Sequence, residues 1–121
     1  MMRKQFVTYL LWLSAIVVIA MVTMLSLFPS ESVELSINDK IGHFLAYTVL
    51  TLNAELLTKS YKQLLWLITL ILLYGIMIEF VQGLIPGRVP SLLDVLANST
   101  GVLIGTLLFL VTRRLFNLRY K

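Results

Sequence analysis

Six polar residues, His43, Glu79, Gln82, Arg88, Asp94 and Asn98, fall near the same ends of otherwise apolar stretches. Together they offer an imidazole able to change charge near neutral pH, two carboxylates, two amides and a guanidinium. Such a set can move a proton, or grip the polar headgroup of a ligand whose remainder is apolar. Ionisable groups at membrane depth are costly unless they pair or face a wet cavity. Their convergence predicts one shared site.

Each residue also has a plainer reading. Glu79 lies about 10 Å of helix inside Pro86, at about 1.5 Å per residue, and needs a proton or a partner. Arg88 and His43 enter from the same side as partners; a carboxyl that only pins its helix is the alternative. Ser91 and Asp94 have the acidic capping-box spacing, which alone would account for Asp94. Asn98 repeats the polarity one turn deeper, where no cap is needed. His43 is equally placed to be an amphipathic border residue.

Helical spacing groups these residues into stripes. Asp39, His43 and Tyr47 are spaced four apart and share a face, so the Tyr47 hydroxyl is expected to face the cluster. Gly75, Glu79 and Gln82 share a face of the next helix. Arg88, within Pro-Gly-Arg-Val-Pro, is suited to carboxylate or phosphate, or to an internal bridge with Glu79 or Asp94, and with Lys40 it forms a basic rim. Glu31 and Glu34 read as solvated loop. Glu55 and Lys59, also four apart, read as an ordinary helix pair at the opposite end.

The elements that must carry these residues are apolar. A chain of 121 residues with 59% hydrophobic content, 13% charge and a mean hydropathy of +0.91 reads as an integral membrane domain. We expect one all-α domain over residues 1–121, a four-helix membrane bundle with spans 6–28, 42–57, 63–85 and 92–111. The second is the weakest, because His43, Thr48, Thr51, Asn53 and Glu55 interrupt it. Four crossings put Arg3, Lys4, Lys59, Lys62, Arg113, Arg114, Arg119 and Lys121 on one side and leave Lys40 and Arg88 opposite. The positive-inside rule then places both termini in the cytoplasm and the polar site outside.

The first segment reads as retained, since it is longer than a signal core and shows no small-x-small cleavage pattern before Pro29. Residues 29–41 have the composition of an outer loop; Ser36 with Asp39, and Ser60 with Gln63, have capping-box spacing at helix starts. Pro86, Gly87 and Pro90 end the third helix before Ser91 opens the fourth. Ala97, Gly101 and Gly105 recur every four residues, a small ridge that favours close packing within the bundle over homodimerisation. With no cysteine there is no disulfide or thiolate site. A single His with carboxylates on separate helices is a weak metal signature, so neither metal nor cofactor is expected. The basic flanks carry no nucleic-acid motif.

Asp39-Lys40-Ile41-Gly42-His43-Phe44, followed by Tyr47 and Leu50, resembles the signature of the VanZ-like membrane proteins. Glu79-x-x-Gln82, then Arg88, Ser91, Asp94, Asn98 and Gly101, resembles its second half, and the two blocks cover Asp39 to Thr112. The resemblance implies a multi-pass protein of the bacterial cell membrane. That family is named for a protein associated with low-level resistance to the glycopeptide teicoplanin. Glycopeptides act on cell-wall precursors outside the membrane, which fits an outward-facing site.

The leading expectation is therefore a pocket formed by the second, third and fourth helices that binds a membrane lipid, a lipid-linked cell-wall precursor or a glycopeptide. Asp39, Lys40, His43, Tyr47, Glu79, Gln82, Arg88, Asp94 and Asn98 line it, with Lys40 and Arg88 on phosphate. The alternative is a membrane enzyme with His43 as general acid or base and Glu79 or Asp94 as its partner. Proton-coupled transport through Glu79 and Asp94 lacks a polar path to Glu55.

Overall fold

A computed structural model describes residues 2–27 and 37–118. Four α-helices and no strand lie within them: α1 Met2–Leu27, α2 Ile37–Glu55, α3 Tyr61–Gln82 and α4 Leu92–Leu115. Ser36, Glu31, Glu34, Arg119 and Lys121 fall outside the described residues, and the readings attached to them fall outside with them.

α1, α3 and α4 are long and apolar enough to cross a membrane; α2 is not. This narrows the expectation of four apolar spans, and the reason is positional. α2 touches all three other helices, so much of its surface meets protein, while Ile41, Leu45 and Val49 stay exposed. His43, Tyr47, Thr48, Leu50, Thr51, Ala54 and Glu55 are all buried. At 19 residues it is still about 28 Å long. α1, by contrast, buries only Ala15, Val22 and Ser26, and turns Phe6, Leu10, Leu13 and Val17 outward as an apolar surface suited to lipid.

Cross-helix bonds set the directions. Lys40 meets Asp94 and His43 meets Asn98, so α2 and α4 run parallel. Asn53 donates to Ser14, so α1 and α2 are antiparallel. Thr23 bonds Tyr74 and Gln82 bonds the Ser26 carbonyl, so α1 and α3 run parallel. α1 and α4 make no direct contact among the described residues, and α2 packs most extensively against α4.

The α2–α4 seam rests on two glycines. A Cβ on Gly101 would stand 2.5 Å from the Phe44 carbonyl oxygen, and one on Gly105 would stand 2.9 Å from Thr51 Cβ. Both distances are below ordinary contact, so only glycine lets the backbones approach this closely. The expected small-residue ridge therefore packs inside the bundle, with Ala97 half-buried above it.

The helix starts follow two different solutions. At α3, Ser60 Oγ accepts from the Gln63 N–H at 3.2 Å, and Gln63 Oε1 accepts from the Lys59 N–H at 2.7 Å. This is the anticipated capping box with its return bond moved one residue outward. At α4, Ser91 makes no side-chain cap bond. The acidic-cap reading of Asp94 is thus replaced by a tertiary role.

Candidate functional site

The polar side chains gather at the end of the bundle that carries Lys40 and Asp94. Lys40 Nζ donates to Asp94 Oδ1 at 2.6 Å, an ion pair in which Asp94 is buried and Lys40 reaches the surface. One turn along, His43 Nδ1 lies 3.0 Å from Asn98 Oδ1, again between α2 and α4. Lys40 is followed three residues on by His43 and Asp94 four on by Asn98, so two parallel helices present matching rungs.

Glu79 comes from α3 and takes neither partner that its position suggested. Its Oε2 accepts from the Ser91 backbone N–H at 3.1 Å, while Oε1 is buried without a partner. A carboxylate from a neighbouring helix thereby satisfies a backbone donor at the start of α4 and opposes that helix's positive end. Tyr47 is wholly buried, and its hydroxyl and Asn98 Nδ2 flank the same spot over Gly75, each 3.4 Å from where a Cβ would stand. The tyrosine hydroxyl therefore does face the cluster.

Gln82 and Arg88 turn toward α1. Gln82 Nε2 donates to the Ser26 carbonyl at 2.6 Å, and Arg88 Nη2 donates to the Leu25 carbonyl at 3.1 Å. Both acceptors belong to the last turn of α1, whose carbonyls lack helical partners, and a cation there complements the negative helix end. Arg88 is presented by a tight turn in which its N–H donates to the Ile85 carbonyl at 3.1 Å. Pro86 leads that turn and Gly87, at φ 82°, takes the left-handed position of a type II turn.

Beside the cluster lies a cavity of about 290 Å³ lined by Val22, Leu25, Ser26, Asp39, Gly42, His43 and Ala46. It opens between α1 and α2, whereas a pocket among α2, α3 and α4 was expected. The glycine seam closes the space on the α4 side, and the Gln82 and Arg88 bonds draw the end of α1 over the opening. Of the predicted residues, Asp39 and His43 line the cavity; Lys40, Tyr47, Glu79, Gln82, Arg88, Asp94 and Asn98 do not. Ser26 escaped sequence reasoning, because one serine in a long apolar helix carries no spacing signal.

Ligand-capable atoms of Asp39, His43 and Asp94 all lie within 4.8 Å of one another. Asp39 is exposed and the other two are buried.

The opposite end holds a surprise. Glu55 is wholly buried, and Thr106 Oγ1 donates to its Oε1 at 2.6 Å; Lys59 is exposed and is not its partner. The expected Glu55–Lys59 pair is therefore absent, because the face of α2 that carries Glu55 is covered by α4. The four-residue stripe continues from His43 and Tyr47 through Thr51 to Glu55, all buried. Tyr47 Oη, Thr51 Oγ1 and Glu55 Oε2 along it have no hydrogen-bond partner. Polar groups thus do extend from the cluster toward Glu55, which the periodicity of α2 could have shown.

An all-helical chain with three apolar helices and a buried polar cluster at one end is a membrane protein. The VanZ/LLP1 family profile matches residues 6–114, and the chain belongs to that family. No curated protein and no solved structure matches it.

Proposed function

We propose that the cavity between α1 and α2 binds the polar headgroup of a membrane lipid or lipid-linked envelope precursor at the outer face of a bacterial plasma membrane. One observation carries this reading: the cavity is lined both by polar Ser26, Asp39 and His43 and by apolar Val22, Leu25 and Ala46. Its volume of about 290 Å³ suits a headgroup. An acyl or isoprenoid tail can leave along the apolar surface of α1. Orientation is supported by charge. The helix directions bring Arg3, Lys4, Lys59, Lys62, Arg113 and Arg114 to the end opposite Lys40 and Arg88, and positive residues favour the cytoplasmic side. Glycopeptide resistance through occupancy of such a precursor is the family-based extension of this reading.

Gly42 provides the test. It lines the cavity, and a Cβ built on it meets nothing within 4 Å, so Gly42→Leu adds a side chain that starts into open space at the cavity. Mass spectrometry of lipids retained by purified protein should show a bound species that the Gly42→Leu protein lacks while keeping its thermal stability. Equal retention by both proteins would remove the cavity from the reading.

Catalysis on the bound lipid is the second reading, favoured by His43 lining the cavity while Asn98 holds its ring. New lipid masses formed by the unmutated protein and not by His43→Gln would establish it.

A further inference from the structure

We propose that Asp39, His43 and Asp94 form a divalent-metal site, of the Zn²⁺ or Mn²⁺ class, whose open side faces the cavity. Their ligand-capable atoms already lie within 4.8 Å of one another. Ligands about 2.0–2.2 Å from a tetrahedral ion stand about 3.4 Å apart, so closing on the ion takes side-chain adjustments of about 1.5 Å or less. Asp39 and His43 are successive turns of α2 and Asp94 belongs to α4, two backbones locked by Gly101 and Gly105.

The histidine is prepared for a metal. Asn98 Oδ1 can only accept, so His43 Nδ1 is the donor, and the neutral tautomer with this bond carries its lone pair on Nε2. Metal-bound histidines typically show this arrangement, with the second nitrogen donating to a carbonyl or carboxylate. One imidazole and two carboxylates neutralise a divalent ion and leave a coordination position free.

Charge supplies an independent argument. Among the described residues this end gathers three carboxyl groups, on Asp39, Glu79 and Asp94, and two cations, on Lys40 and Arg88. Asp94 is buried beside Lys40, whereas Glu79 is buried with a backbone N–H in place of a cation. Glu79 Oε1 has no partner, and its carboxylate interacts electrostatically with Asp94, His43 and Asp39. An additional cation resolves both features.

Lys40 is then a built-in competitor. Its ammonium occupies Asp94 in the ion-free protein, and its partial exposure lets it swing away when the ion enters. The site also answers a difficulty in the proposed function, on which this last step rests. A cavity lined by Asp39, with Asp94 close to it, disfavours phosphate, whereas a bound divalent ion reverses the local sign and offers its open position to a phosphate oxygen.

The test uses the full-length, tag-free protein in lipid-free detergent, stripped with chelator and titrated calorimetrically with Zn²⁺ and with Mn²⁺. Wild type should bind one ion per chain, His43→Gln and Asp94→Asn should each bind at least tenfold more weakly, and Lys40→Met should bind severalfold more tightly. Wild type indistinguishable from a His43→Gln, Asp94→Asn double variant overturns the site, as does Lys40→Met binding no tighter than wild type. Lipid retention is then measured with and without the ion. Ion binding with no effect on retention refutes the phosphate bridge and leaves the metal site standing; retention without any ion binding refutes both the site and the bridge and leaves the proposed lipid binding standing.

Discussion

The two ends of the bundle bury carboxyl groups in opposite circumstances. At one end Asp94 meets an ammonium, Glu79 meets a backbone N–H, and a cavity opens alongside. At the other, Glu55 is sealed between α2 and α4 with the Thr106 hydroxyl as its hydrogen-bond donor. Burial is as complete for Glu55 as for Asp94, so burial does not separate a binding site from a structural group. The difference lies in charged partners and adjoining space. A carboxyl with one neutral donor in a packed seam serves as part of the core, while an ion-paired carboxylate such as Asp94, with a cavity alongside, is available to a ligand.

The most drastic way to break this contrast is to separate α2 from α4, which removes both ends together. Gly101→Leu must displace the Phe44 carbonyl and the Thr48 N–H, 2.5 and 3.1 Å from its Cβ. We expect no stably folded protein by size exclusion in detergent, and Gly101→Ala to cost about 1–3 kcal/mol or more as overpacking. A folded Gly101→Leu protein with normal stability would show that the seam can slide.

Asp94→Asn should come next. It strips Lys40 of its carboxylate; breaking a buried pair costs about 3–5 kcal/mol, and the exposure of Lys40 reduces this to about 1–3 kcal/mol. Glu55→Gln should change stability by under about 1 kcal/mol, because the amide oxygen still accepts from Thr106 and its NH₂ can serve the region around the unpartnered Oε2. Thermal unfolding of these two variants side by side is the sharpest check on the comparison. Equal losses would mean that Glu55 carries a charge of its own.

Arg88→Gln should have the smallest effect on stability. It removes a cation and a donor from the end of α1, worth about 0.3–1 kcal/mol. Its effect on lipid retention is expected to be larger than its effect on melting, since the end of α1 forms one wall of the cavity. A variant that retains lipid fully would confine Arg88 to capping.

Much of this was legible in the residues. The four helices appear near their expected places: α3 and α4 start within two residues of the anticipated spans, and α2 begins at Ile37, five residues ahead of the apolar span 42–57 but directly after Ser36, where the capping-box spacing had put a helix start. The stripes Gly75, Glu79, Gln82 and His43, Tyr47 are buried as their spacing indicated. Pairings were less legible. Glu79 reaches the Ser91 N–H, a backbone donor that no side-chain pattern announces. Asp94 has two chemically sound partners, its own helix start and Lys40, and the choice depends on where α2 lies.

Taken alone, the order of amino acids determines that this chain is helical, that its helices suit a membrane, and which residues share a face, because hydropathy and the 3.6-residue period act locally. It also determines that α4 carries a ridge small enough for close approach. Tertiary structure alone decides that the ridge receives α2, that Lys40 and His43 consequently stand opposite Asp94 and Asn98, and that the cavity opens toward α1. Those facts depend on the rotation and neighbours of helices more than fifty residues apart in the chain, where a turn of one helix by one residue would exchange every partner.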